Sequence, residues 1–215
     1  MKKNLKKRIY TSLMLLILFF LILKSNFILV FTLIVLGVLS LLEFFSMITK
    51  ILKNKAYIII SNTFFITYIF IFCFMFLFFS NYIQLKIILF SLLFGCIASD
   101  VGGFVFGKIF KGPKLTKISP NKTISGAIGS LFSTSVIITS SFFYFTKTIS
   151  YNILIISFAT SIACQFGDLF FSYLKRKASI KDTGNFLPGH GGILDRLDGI
   201  FFGIPIGFVT LTLLY

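Results

Sequence analysis

An all-α, polytopic integral membrane protein is the fold class that this sequence predicts, on three observations. The chain is 57% hydrophobic and 13% charged over 215 residues, too apolar a balance for a soluble domain of that length. Its apolar residues gather in seven long runs, and a bilayer core takes about 20 apolar residues per helix. Its basic residues fall almost entirely in alternate gaps between those runs.

The runs are Ile9–Leu23, Asn26–Ile48, Ala56–Ser80, Tyr82–Ser99, Thr123–Phe145, Tyr151–Ser172 and Gly199–Leu214. They predict about seven transmembrane helices. The first run is short, so six spans are the alternative, with that run lying in the interface or pairing with the second as a hairpin. The opening "MKKNLKKR" followed by an apolar run resembles a cleavable signal peptide. No small-residue cleavage site follows it, and apolar sequence resumes almost at once, so the segment is expected to stay. The second run contains Glu43. An acid at membrane depth is costly and a functional candidate; a buried packing hydrogen bond and a group snorkelling to the cytoplasmic end are the other two readings.

Threading seven spans from a cytoplasmic N-terminus places 18 of the 21 Lys and Arg on the cytoplasmic side. Lys24 and Lys147 stay outside, and Lys86 sits near an outer helix end. This is the positive-inside pattern. It accounts for the net charge of +15 without a nucleic-acid partner, and basic loops of this kind suit anionic headgroups and phosphates. Cys73, Cys96 and Cys164 all fall inside apolar runs, without zinc or disulfide spacing, and read as packing residues. No linker, soluble domain or internal repeat is visible. Residues 1–215 therefore read as a single membrane domain, with 1–99 giving the N-terminal spans and 100–215 the half that carries the polar segments.

Two polar cytoplasmic loops are expected, from Asp100 to Lys122 and from about Tyr173 to Asp198, and together they are expected to form the site. All five aspartates lie in or beside them. The stretch "KDTGNFLPGHGGILDRLDG", Lys181–Gly199, concentrates three aspartates, the only histidine and five of the 16 glycines. A glycine-rich turn opening a helix presents backbone N–H groups to an anion, here at Gly191 and Gly192. Asp195 and Asp198, three residues apart, share a helix face and can hold a hard divalent cation. Arg196 between them offers a phosphate-facing fork. His190 reads as a general base or as a loop hydrogen-bonding group.

Upstream, "GDLFFSYLKRK", Gly167–Lys177, sets Asp168, Ser172, Lys175 and Arg176 on one helical stripe. The stripe could line a polar cavity. A positive-inside anchor would explain the basic residues alone, but not Asp168. The first loop opens "SDVGGFVFGK". Gly102, Gly107 and Lys108 come close to a phosphate-binding P-loop, but Ile109 stands where Ser or Thr would bind magnesium and no strand precedes it. Its glycines are instead expected to allow close helix packing, with Asp100 turned to the polar cavity. "KISPNKTISG" puts Ser119, Pro120, Lys122 and Thr123 at the start of the next span. That arrangement suits either phosphate binding or helix capping alone.

These residues resemble the phosphatidate cytidylyltransferase family, also called CDP-diacylglycerol synthases. The family signature reads S-x-x-K-R-x4-K-D-x-G-x2-L-P-G-H-G-G-x-x-D-R-x-D. The chain has "SYLKRKASIKDTGNFLPGHGGILDRLD", Ser172–Asp198, in agreement at essentially every defined position. "SDVGGFVFGK", "ISPNKTISG" and "GDLFFS" are similar to the same family. Resemblance covers the chain from about Ser99 onward, and the N-terminal half only as hydrophobic spans. Phe171 stands where the family usually has Glu, and Ile124-Ser125 where it usually has Trp-Glu. The chain is also short for the family.

The resemblance implies that CTP and phosphatidate give CDP-diacylglycerol and pyrophosphate at a bacterial-type inner or cell membrane, with the active site facing the cytoplasm. It implies Mg2+, with a second, monovalent cation as a further candidate, and a homodimer as a candidate assembly. Asp195 and Asp168 are the expected principal metal ligands, with Asp198 and Asp182 next. Lys122, Lys175, Arg176, Lys181 and Arg196 are expected to neutralise phosphates. Ser119, Ser172, Asp100, His190, Gly191 and Gly192 are expected around the substrates. Two rivals are a related enzyme acting on another lipid phosphate or an isoprenoid alcohol, and a transporter with mid-membrane acids. A transporter predicts acids near the midplane and pseudo-symmetric halves, whereas these acids cluster at one face.

Overall fold

The structure, a computed structural model, describes residues 2–116, 118–148, 150–186 and 191–215, with the side chains of 2–9 and 12 outside that description. The all-α expectation holds. Among the described residues seven helices follow in order: α1 Lys2–Lys24, α2 Asn26–Ile51, α3 Lys55–Ser80, α4 Ile83–Phe110, α5 Ile124–Thr146, α6 Tyr151–Lys177 and α7 Leu194–Leu214. The helices α2 to α7 are six candidate membrane spans by length and hydropathy, and α1 adds a shorter apolar stretch, Leu13–Lys24. The protein is therefore a polytopic membrane protein, with seven helices and six candidate spans among the described residues, the number the short first run left open beside seven.

Helix ends differ from the apolar runs in an informative way. The first polar loop was expected to begin at Asp100, but α4 continues to Phe110 and the connection runs from 111 to 123. Hydropathy ends at the polar residues, whereas the helix ends only at Lys111, which adopts a left-handed conformation (φ 46°). For the same reason α6 runs to Lys177, and α7 starts at Leu194 rather than Gly199.

The chain forms two compact units. The first comprises Met1–Asn81 with Leu174–Leu197, the second Tyr82–Tyr173 with Asp198–Tyr215. In the first, α1 packs on α2 and α2 on α3. Gly37 of α2 lets Ile69 of α3 approach closely, and Phe44 stacks on Phe65 at 3.9 Å between ring centroids.

In the second unit α4 and α5 are in intimate contact. Gly102 and Gly103 face Ser133 and Ser130, and Gly129 receives the Phe106 side chain. The glycines of "SDVGGFVFGK" thus serve close packing, as expected. Polar bonds between helices add to it, as is usual where no hydrophobic drive separates helix from lipid. Ser130 Oγ donates to the Ser99 carbonyl (2.7 Å), and Gln165 Nε2 to the Ala127 carbonyl (3.3 Å). Along α7, Gly199 and Gly203 accommodate Cys164 Sγ and Cys96 Sγ, which gives these buried thiols a packing role.

A methyl group on Gly102 would lie 2.8 Å from the Gly129 carbonyl oxygen, so Gly102→Ala must push the two backbones apart. It is expected to destabilise the protein by about 1–3 kcal/mol. A lowered aggregation temperature in detergent, read by size-exclusion chromatography, checks this; an unchanged temperature contradicts the close packing.

Candidate active site

Among the described residues, each unit holds one lysine–aspartate pair. In the first unit, α6 ends in a 6→1 and 5→2 hydrogen-bond pattern: Ile180 N–H donates to the Lys175 carbonyl and Ser179 N–H to that of Arg176, both at 3.0 Å. Ser179 takes the left-handed conformation (φ 56°) that such a stop requires. This fixes Lys175 in the last turns of α6. Its Nζ donates to Asp195 Oδ1 at 2.7 Å, and the two side chains are only 12% and 9% exposed.

Asp195 lies in the first turn of α7, and its second oxygen holds the preceding loop. Oδ2 accepts from Thr183 N–H (2.9 Å) and from Gly192 N–H (3.1 Å). The latter closes a short ring at the helix start, and Gly191 before it has a φ of +87° that glycine adopts readily. Glu43 of α2 reaches the same turn. Its Oε1 accepts from Ile193 N–H (3.0 Å), and its Oε2 from Leu194 N–H (2.9 Å) and Thr183 Oγ1 (2.6 Å). Glu43 is 3% exposed, so it does not snorkel.

The N–H groups at a helix start are normally without helical partners. Here Gly192, Ile193 and Leu194 give theirs to the protein's own carboxylates. The Gly192 N–H that the sequence offered to an anion therefore donates to Asp195.

In the second unit, a short turn presents Lys122. Leu115 N–H donates to the Lys122 carbonyl (2.7 Å), Lys122 N–H to the Ser119 carbonyl (3.0 Å) and Ile124 N–H to the Pro113 carbonyl (3.0 Å). Thr123 caps α5 by accepting from Gly126 N–H at 3.1 Å. Lys122 Nζ pairs with Asp168 Oδ2 of α6, both side chains partly exposed. Asp100 is exposed on α4, with Cys164 Sγ 4.0 Å from its carboxylate. Asp198 is buried on α7, and its Oδ1 accepts from Gly199 N–H at 2.9 Å.

The other sequence-derived residues are distributed as follows. Arg176, Lys181, Asp182 and Arg196 are exposed, and Ser119, Ser172 and Gly191 are half-buried. His190 lies outside the described residues. Thr183 escaped the sequence reading: it falls on a variable position of the signature, although its hydroxyl and its amide serve both carboxylates. Both departures from the family pattern have local roles. Phe171 is 1% exposed and packs edge-on against Phe170 and Phe202, and Ser125 Oγ accepts from Gly112 N–H at 3.2 Å.

Among the described residues no group of three or more His, Cys, Asp or Glu gathers as a ready metal cluster. The donor chemistry nonetheless suits a hard cation, being carboxylate oxygen throughout. A cation at Asp195 or Asp168 would share that carboxylate with Lys175 or Lys122.

A membrane protein with a lysine–aspartate pair at a glycine-rich helix start is a candidate phosphoryl-handling enzyme, and comparison with known proteins gives its family. The cytidylyltransferase family matches residues 7–214, and the chain belongs to that family. It is similar to the phosphatidate cytidylyltransferase of Helicobacter pylori, 46% identical over 114 residues, which covers 52% of this chain and 42% of that protein. The Mycobacterium leprae protein of the same name is 44% identical over 128 residues, 58% of this chain and 40% of its own length. That of Rickettsia felis is 43% identical over 129 residues, 54% and 56%. The matched part thus spans about half the length of these curated relatives.

Proposed function

We propose that this chain transfers the cytidylyl group of CTP to phosphatidate, giving CDP-diacylglycerol and pyrophosphate. The observation that carries the reading is the segment Ser172–Asp198, which keeps the family signature within a family match over 7–214 and holds Lys175, Asp195 and the Thr183 and Gly192 amides that bond to Asp195. The names of the similar curated proteins support the same substrates.

The nucleophile is a phosphate oxygen of the lipid. It attacks the α-phosphorus of CTP, and the bond from that phosphorus to the bridging oxygen breaks, so that the electron pair leaves with pyrophosphate. A phosphate monoester has its second pKa near 6 and is largely dianionic at pH 7, so a strong base is unnecessary. The obstacle is one anion approaching another. Positioning and charge neutralisation must supply the rate. Lys175 and Lys122 are each directed by an aspartate, and with Arg176, Lys181 and Arg196 they are the cations proposed to neutralise phosphate oxygens. When bound, Mg2+ supplies further neutralisation of the triphosphate and of the leaving group. Asp195 and Asp168, followed by Asp198 and Asp182, are the carboxylates proposed to hold it.

The six candidate spans keep the protein in the bilayer, where the acyl chains of the acceptor also stay. We place the reacting side in the cytoplasm from the distribution of basic residues. In a variant lacking Cys73, Cys96 and Cys164, single cysteines at Lys111 and Lys177 should be shielded from an impermeant reagent in intact cells. One at Lys147 should react. Labelling at 111 or 177 from outside contradicts the orientation. The reaction itself is tested by pyrophosphate release from CTP by the purified protein, with phosphatidate, another lipid phosphate and an isoprenoid alcohol as alternative acceptors; release that requires phosphatidate is expected.

A further inference from the structure

Glu43 is the only glutamate and the only acid before Asp100, and the reaction above gives it no role. It is nearly fully buried on an apolar helix, where an acid is costly to keep and a packing role would be met by an apolar residue. Among the described residues its hydrogen bonds go to Thr183, Ile193 and Leu194. The turn is fitted around it: a side chain at Gly184 would collide with Glu43 Oε1, and one at Gly192 with Oε2 and Thr183. Phe44 beside it is held by its stack on Phe65 of α3.

We infer that Glu43 is a positioning residue for cytidylyl transfer, fixing from α2 the turn that presents Asp195 to Lys175. This rests on the function proposed above. Thr183 is the link, since its hydroxyl donates to Glu43 and its amide to Asp195. An anion is favoured at a helix start by the N–H groups and the helix dipole. In α7 the protein supplies that anion from its own second helix, so the first turn is set before any substrate arrives. It follows that an N-terminal span, outside the signature segment, contributes a specific group to the reaction.

Glu43→Gln keeps the shape but turns an amide N–H2 toward groups that are themselves donors. Expected are faster hydrogen exchange of the amides in 183–186 and 191–197 without substrate or metal, unchanged exchange in α4 and α5, and a kcat per folded molecule lower by about 10- to 100-fold, the usual cost of losing a group that orients a site. Glu43→Asp, which keeps the charge, should recover part of both. Wild-type exchange in that segment, or a kcat per folded molecule near wild type, overturns the assignment. Should Glu43→Gln not fold, Thr183→Val removes only the hydroxyl link; faster local exchange with lowered kcat supports the assignment, and the lack of either overturns it. A wild-type protein that makes no CDP-diacylglycerol would overturn the parent reading and this one together, whereas an active wild type with an equally active Glu43→Gln overturns this one alone.

Discussion

Asp195→Asn is expected to lower CDP-diacylglycerol formation by roughly a thousandfold or more. Among the described residues the carboxylate bonds through two oxygens, to Lys175 on one side and to Thr183 and Gly192 on the other. An amide of the same size has one oxygen and one N–H2, so in either orientation one side meets donor against donor. The substitution also removes the negative charge proposed to hold a hard cation. Transition-state charge stabilisation of that kind is worth several kcal/mol, and about 1.4 kcal/mol is tenfold in rate. Insertion should persist, because α7 keeps its apolar length. Rates in matched membranes across a Mg2+ titration check this. Near-normal turnover with unchanged Mg2+ dependence contradicts the role of Asp195.

Asp168→Asn is the second large effect, expected at about a hundred- to a thousandfold on the same physical grounds. Its partner offers a sharper test than the single variant. Lys122 and Asp168 form a direct pair, and residues in contact couple. If the pair only ties the 113–124 turn to α6, replacing both by neutral residues should restore much of the rate, because no uncompensated charge remains. If Lys122 acts on a phosphate and Asp168 on a cation, Lys122→Met/Asp168→Asn should be no faster than Asp168→Asn alone. The second outcome is expected in the same membrane assay, and a double variant more active than the single contradicts it.

Much of the fold could be read from the sequence because a bilayer imposes a simple length and composition rule, and the seven apolar runs became the seven helices. The rule failed where a helix carries polar or small residues past the apolar run. Asp100, Gly102, Gly103 and Lys108 looked like loop, yet they continue α4, and the glycines are tolerated because α5 packs against them. That gain is tertiary and invisible to a window along the chain.

The acids and bases of the candidate site were legible as a local concentration in an otherwise acid-poor chain. Their partners were not, since Lys122 meets Asp168 across 46 positions and Glu43 meets Leu194 across 151. Glu43 left three readings open in the sequence, and only the turn it accepts from resolves what it bonds. Thr183 carried no signal, because the signature leaves its position undefined. The amide of Gly192 shows the opposite case: the glycine-rich motif suggested a donor open to an anion, while the carboxylate of Asp195 accepts from it.

The central claim is most directly tested with purified protein in vesicles containing phosphatidate, given labelled CTP and Mg2+. CDP-diacylglycerol and pyrophosphate should appear in equal amounts, only when phosphatidate is present, and almost vanish in Asp195→Asn. Label passing to a different acceptor in place of phosphatidate, or CTP left intact under these conditions, would contradict the account.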